Sequence, residues 1–119
     1  MKNIYLYFTI LIGIGYFLNK KSYIKLLKTN IAKEMILSNK FSHILDVRSV
    51  EEFTIGHYPK SINIPFDTIN EYTIGNLNKL KPILIYCRSG RRAKIAADKL
   101  VSFGFRKIYY INDTYKSLL

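Results

Sequence analysis

Residues 82–93 read Pro82-Ile83-Leu84-Ile85-Tyr86-Cys87-Arg88-Ser89-Gly90-Arg91-Arg92-Ala93. Ile83 to Tyr86 is a short apolar run rich in β-branched and aromatic residues, the pattern of a buried strand. The period then changes. Between Arg91 and Phe103, residues Ile95, Ala96, Leu100 and Phe103 share one helical face, and Gly104 marks the stop. A buried strand that runs through a tight loop into a helix is the working unit of parallel α/β sheets. In such sheets ligands bind at the carboxyl ends of the strands, which is where Cys87 stands.

Working outward, three more strands are expected. His43-Ile44-Leu45-Asp46-Val47-Arg48 and Ser61-Ile62-Asn63-Ile64-Pro65 lie before the central run, and Lys107-Ile108-Tyr109-Tyr110-Ile111 lies after it. Thr29 or Asn30 is suited to cap a helix through Leu37, with apolar residues at 31, 32, 35 and 36. Glu51-Glu52-Phe53 suits a helical turn, Gly56-His57-Tyr58-Pro59 a tight turn, and Phe66 to Leu80 one or two helical turns broken near Gly75. No repeat or low-complexity tract interrupts this order. The expectation is an α/β domain with a mostly parallel sheet over residues 29–119, preceded by a basic linker at 20–28 and an apolar segment at 1–19.

The chain has 119 residues and a net charge of +11, enough for one domain with a small core. Residues 1–28 hold five lysines and no acid, and the remainder holds 14 Lys+Arg against 8 Asp+Glu. A basic balance suits nucleic acid, acidic lipid or a small anion as partner. The tyrosines fall in the apolar segment and the strands, without interleaving basic residues on one surface, so a nucleic-acid role is not expected.

Ile4 to Leu18 is an uncharged run of 15 residues. As a helix it would reach about 22 Å, short of the roughly 30 Å hydrocarbon core. No small residues suited to signal cleavage follow it, and Lys20, Lys21, Lys25 and Lys28 follow it where only Lys2 precedes. The reading is a membrane anchor through residues 4–18, single-pass, with the domain on the cytoplasmic side. Export by a signal peptide is the alternative.

Cys87 is the sole cysteine. That excludes an internal disulfide and a multi-cysteine zinc site. His43 and His57 have no soft partner nearby in sequence, so neither a metal nor a cofactor is expected. A lone cysteine is often a small buried hydrophobe. The surroundings of this one point elsewhere. A helix start offers free N–H groups and the positive end of its dipole, and Gly90 lets the loop curl so that several N–H groups converge. Arg88, Arg91 and Arg92 add positive charge. Such a site favours a thiolate nucleophile and holds an anionic donor. Arg91 and Arg92 read as anion partners, Ser89 and Gly90 as part of the loop, and Arg88 as a residue on a solvated face.

These stretches together resemble the single-domain rhodaneses. The matching residues are Leu45-Asp46-Val47-Arg48, Glu51-Glu52-Phe53, Gly56-His57-Tyr58-Pro59, Ser61-Ile62-Asn63-Ile64-Pro65 and the loop Cys87 to Ala93, covering about residues 30–111. The resemblance implies a five-stranded parallel sheet flanked by helices. It also implies that Cys87 takes a sulfane sulfur from a small anionic donor such as thiosulfate, forms a persulfide, and passes the sulfur to cyanide, a thiol or a protein acceptor. Arg88 to Arg92 would then cradle Cys87. Asp46 and Arg48 would stand beside the active loop, foremost as a structural ion pair, and His57 would be a structural hydrogen-bonding residue.

Two departures stand out. Lys60 occupies a position where the family usually has glycine. After Ile111, the Gly-Gly turn and Trp-bearing helix of the family are missing; Tyr115, Leu118 and Leu119 can replace that cover only in part, which predicts a partly exposed sheet face. Two rival functions share the fold. A phosphatase or arsenate reductase would need Cys-x5-Arg, but the sixth position after Cys87 is Ala93 and the last loop arginine is Arg92. A non-catalytic, membrane-tethered docking or sulfur-delivery module is the other.

Overall fold

The computed structural model describes residues 23–119, so the apolar segment at 4–18 lies outside the described residues. Among the described residues no helix is long and apolar enough to cross a membrane. The elements run β1 (Ile24–Leu26), α1 (Thr29–Leu37), β2 (His43–Asp46), α2 (Val50–Ile55), β3 (Ile62–Asn63), β4 (Ile83–Tyr86), α3 (Arg91–Ser102) and β5 (Ile108–Tyr110). Single 3-10 turns follow β3 at Phe66–Thr68 and β5 at Tyr115–Leu118. The five strands form one sheet in the order β1-β5-β4-β2-β3, and every pair is parallel.

β4 lies in the middle of that order, and all four of its residues are wholly buried. Alternate side chains serve opposite faces. Ile83 and Ile85 join Leu45 and Val47 against Ala93, Ala96, Ala97 and Leu100 of α3. The alanines on this face let the helix axis come close to the sheet. Leu84 and Tyr86 join Ile44 on the other face, covered by Leu27, Ala32, Ile111 and Leu118. The chain between the first 3-10 turn and β4 has no regular helix, yet Ile69, Ile74 and Leu77 are buried. Asn70 organises it, its side-chain oxygen accepting from the N–H groups of Tyr72 and Thr73 at 2.9 and 3.0 Å.

Three expectations are corrected. Residues 24–26 belong to the sheet rather than to a linker. Ile24 pairs with Ile108, and backbone bonds of 2.9 Å from Ile108 N to Tyr23 O and from Leu27 N to Tyr110 O flank the pairing. A three-residue strand among lysines leaves little alternation to read, and charged flanks are normal on an edge. Helix α1 is not capped by Thr29 or Asn30; Lys28 takes the cap position without a side-chain bond. The sheet face expected to be partly exposed is covered more fully than that: the Tyr115–Leu118 turn supplies Tyr115 and Leu118 as expected, with Leu118 at 5% exposure beside Leu84 and Tyr86, while Leu119 stays exposed.

Candidate functional site

Cys87 follows β4 directly and is 1% exposed. Its Sγ accepts the backbone N–H groups of Gly90 at 3.1 Å and Ala93 at 3.3 Å. Ala93 lies in the first turn of α3, whose leading N–H groups have no partner within the helix. The sulfur therefore sits at the positive end of the helix dipole, where negative charge is favoured. Gly90 makes this possible in two ways. Its φ of 98° is left-handed, and a Cβ there would stand 2.8 Å from the Asn112 Cβ.

Arg92 does not face the open site. Its guanidinium donates to Glu52 Oε1 at 2.6 Å and Oε2 at 3.0 Å, joining the loop to α2. Glu52 is itself held by a capping box with Ser49 at the start of α2. The Arg92 hydrogen bond is the main reason the Glu52 carboxyl falls from 4.5 to about 2, with Ser49 helping against partial burial. In turn Glu52 raises the Arg92 pKa, burial opposes it, and Cys87 adds to the rise.

Asp46 and Arg48 form the buried pair that the sequence suggested. Arg48 Nη2 lies 2.6 Å from Asp46 Oδ2, and Arg48 Nε donates to both carboxylate oxygens at 3.0 and 3.1 Å. Arg48 Nη2 also donates to Gly56 O at 2.7 Å. Burial works against the Arg48 charge, but Asp46 outweighs it and the pKa is raised. Tyr86 donates to Asp46 Oδ2 at 2.7 Å and accepts Tyr58 N–H at 3.0 Å. Burial is the chief cause that pushes the Tyr86 phenol up to about 12. His57 is structural as read. Its Nδ1 donates to Phe53 O at 2.8 Å, and its ring stacks on Phe53 at 3.6 Å.

A cavity of about 500 Å³ opens above Cys87. Arg48 and Arg88 line it from the strand ends, Glu52 and Ile55 from α2. Thr114, Tyr115 and Lys116 line it from the C-terminal turn. Here the sequence reading of the loop arginines also differs from the structure. Arg88 borders the cavity, while Arg91 is exposed away from it and Arg92 is engaged with Glu52. Helical phase explains this: Arg91 opens α3 and points outward, whereas Arg88 belongs to the loop itself. Ser89 is exposed and Gly90 buried. The contribution of Tyr115 and Lys116 was not legible, because nothing local in the tail marks it as lying against a loop almost thirty residues earlier.

The geometry has a known counterpart. The model of the rhodanese-like domain matches residues 27–118. The chain belongs to this family. The rhodanese-like domain is 37% identical over 76 residues to YrkF of Bacillus subtilis, proposed to be a sulfur carrier protein, covering 64% of this chain and 40% of that one. It is 34% identical over 83 residues to the adenylyltransferase and sulfurtransferase UBA4 of Candida albicans, covering 63% of this chain and 19% of that one. The chain thus spans less than half the length of these relatives. Among solved structures, the BH2092 protein of Bacillus halodurans superposes with a TM-score of 0.67 at 28% identity, over 86% of this chain and 74% of that one. The human single-domain sulfurtransferase TSTD1 shares the fold, with a TM-score of 0.62 at 20% identity over 77% of this chain and 90% of its own. The rhodanese-like domain here carries one buried cysteine and is related to sulfurtransferases and sulfur carriers.

Proposed function

We propose that this protein is a sulfurtransferase that moves sulfane sulfur through a persulfide on Cys87. The observation that carries this reading is the pair of N–H groups, from Gly90 and Ala93, that converge on Sγ at the floor of an arginine-lined cavity. They donate to the sulfur that carries the reaction and leave the cavity open for the added sulfur atom. In the first step the Cys87 thiolate attacks the outer sulfur of thiosulfate. A new S–S bond forms, the donor S–S bond breaks, and sulfite leaves with the bonding pair. In the second step an acceptor thiolate or cyanide attacks the outer persulfide sulfur, and the electron pair returns to Sγ.

The test is the intact mass of the protein after thiosulfate treatment. A gain of one sulfur atom, absent in Cys87→Ala and discharged by cyanide, supports the reading. No gain with any sulfane donor overturns it in favour of a docking role.

The apolar run at 4–18 and the lysines after it support a further part of this reading, a membrane tether with the domain on the cytoplasmic side. The full chain should then stay with membranes through carbonate washing and leave them in detergent. Release by carbonate would end the tether reading.

A further inference from the structure

The charges around the Cys87 cavity do not all remain available to a ligand. Arg48 is paired with buried Asp46, and Arg92 neutralises Glu52. Arg88 and Lys116, which also line the cavity, have no carboxylate within ion-pair distance among the described residues. The backbone that carries Lys116 is well fixed although its side chain is exposed. On one side Tyr115 packs against Gly56 and lies under the Arg48 guanidinium, 5.0 Å from the ring centre. On the other side Leu118 is buried in the core. The cavity therefore presents two positive charges that no carboxylate among the described residues neutralises, one from the active loop and one from the C-terminal turn.

We propose that Lys116, acting with Arg88, sets donor selectivity in favour of sulfur donors that carry two negative charges. The proposal rests on the sulfur-transfer reading and names its donor class. Coulomb attraction scales with the product of the charges. Removing one positive charge therefore slows a dianionic donor by the square of the factor that applies to a monoanion of similar shape.

Thiosulfate and methanethiosulfonate form such a pair. Each gives its outer sulfur to a thiolate, one releasing sulfite and the other methanesulfinate. The measurement is the second-order rate constant for sulfur gain on Cys87, by mass, in the full-length protein. For a charge about 6 Å from the donor in water, Lys116→Gln should slow thiosulfate about tenfold and methanethiosulfonate about threefold. Lys116→Arg should restore both, and added salt should shrink both factors. Equal factors for the two donors, or no change with either, overturn the proposal while leaving sulfur transfer intact. A wild-type protein that gains no sulfur from either donor overturns both readings together.

Discussion

Arg92 and Glu52, forty positions apart, are joined by two hydrogen bonds of 2.6 and 3.0 Å that tie the Cys87 loop to α2. Because Glu52 lies near 2 when folded and near 4.5 when free, it supports the fold above about pH 4.5. That support fades as pH falls toward 2. Glu52→Gln should therefore flatten the acid limb of the stability curve in this window and cost about 1 kcal/mol at neutral pH. Urea unfolding at several pH values checks it. A variant as acid-sensitive as the wild type would remove the ion pair from the account.

Tyr86→Phe tests the polar centre of the sheet. The hydroxyl serves Asp46 and the Tyr58 N–H in a buried setting. Its removal strands the Tyr58 donor, and we expect a loss of about 1–3 kcal/mol in urea unfolding. There is also an alkaline signature. The folded phenol titrates near 12 rather than 10, so its contribution is whole below pH 10 and disappears as pH rises through 12. The variant should lose less stability than the wild type across that range.

Gly90→Ala should be among the most damaging single changes. The substitution forces an L side chain to φ 98° and sets its Cβ 2.8 Å from Asn112 Cβ. Strain alone costs about 1–3 kcal/mol, and relief by moving the loop withdraws the Gly90 N–H from Sγ. We expect sulfur gain on Cys87 to fall at least tenfold while circular dichroism stays native. Undiminished sulfur gain would show that the N–H contact is dispensable.

A Cβ at Gly56 would overlap the Tyr115 hydroxyl. Gly56→Ala should thus destabilise the domain by about 1–3 kcal/mol through overpacking. Tyr115→Phe in the same chain should recover part of it, giving a coupling of about 1 kcal/mol in a double-mutant cycle. Additive effects would place the two residues out of contact.

The loop between Cys87 and Ala93 also bears on the phosphatase rival. Backbone N–H groups of Gly90 and Ala93 already converge on Sγ, and Arg92 is committed to Glu52. Arg92, the last arginine of the loop, is therefore not free to clasp a tetrahedral phosphate, and Arg91 does not line the cavity. A generic aryl phosphate should be hydrolysed no faster by the wild type than by Cys87→Ser. Hydrolysis that depends on Cys87 would reverse the assignment.

Much of this arrangement was legible in order. β4, the turn at Gly90 and the helix after it follow from a change of hydrophobic period within twenty residues. The Asp46–Arg48 pair is two residues apart on a strand end, so its contact is nearly local. What stayed hidden depends on distant pairing. Ile24–Leu26 becomes a strand only because β5 lies beside it, and Lys116 reaches the cavity only because Leu118 is drawn into the core. The surroundings of Arg91 and Arg92 were not legible for a related reason. Sequence gives their charge, but the partner of Arg92 sits on another helix.

The placement of β1 also bears on how the protein is made. Strand order puts the first described strand against the last, with Ile24 opposite Ile108. β3, β4 and β5 can each pair with a strand already made and β2 waits only for β3, but β1 waits for β5. Contacts between such distant parts are slow to form. A nascent chain stalled before Lys107 should accordingly be cut freely by protease near Tyr23. Resistance should arrive abruptly once residues through Leu118 are free of the ribosome.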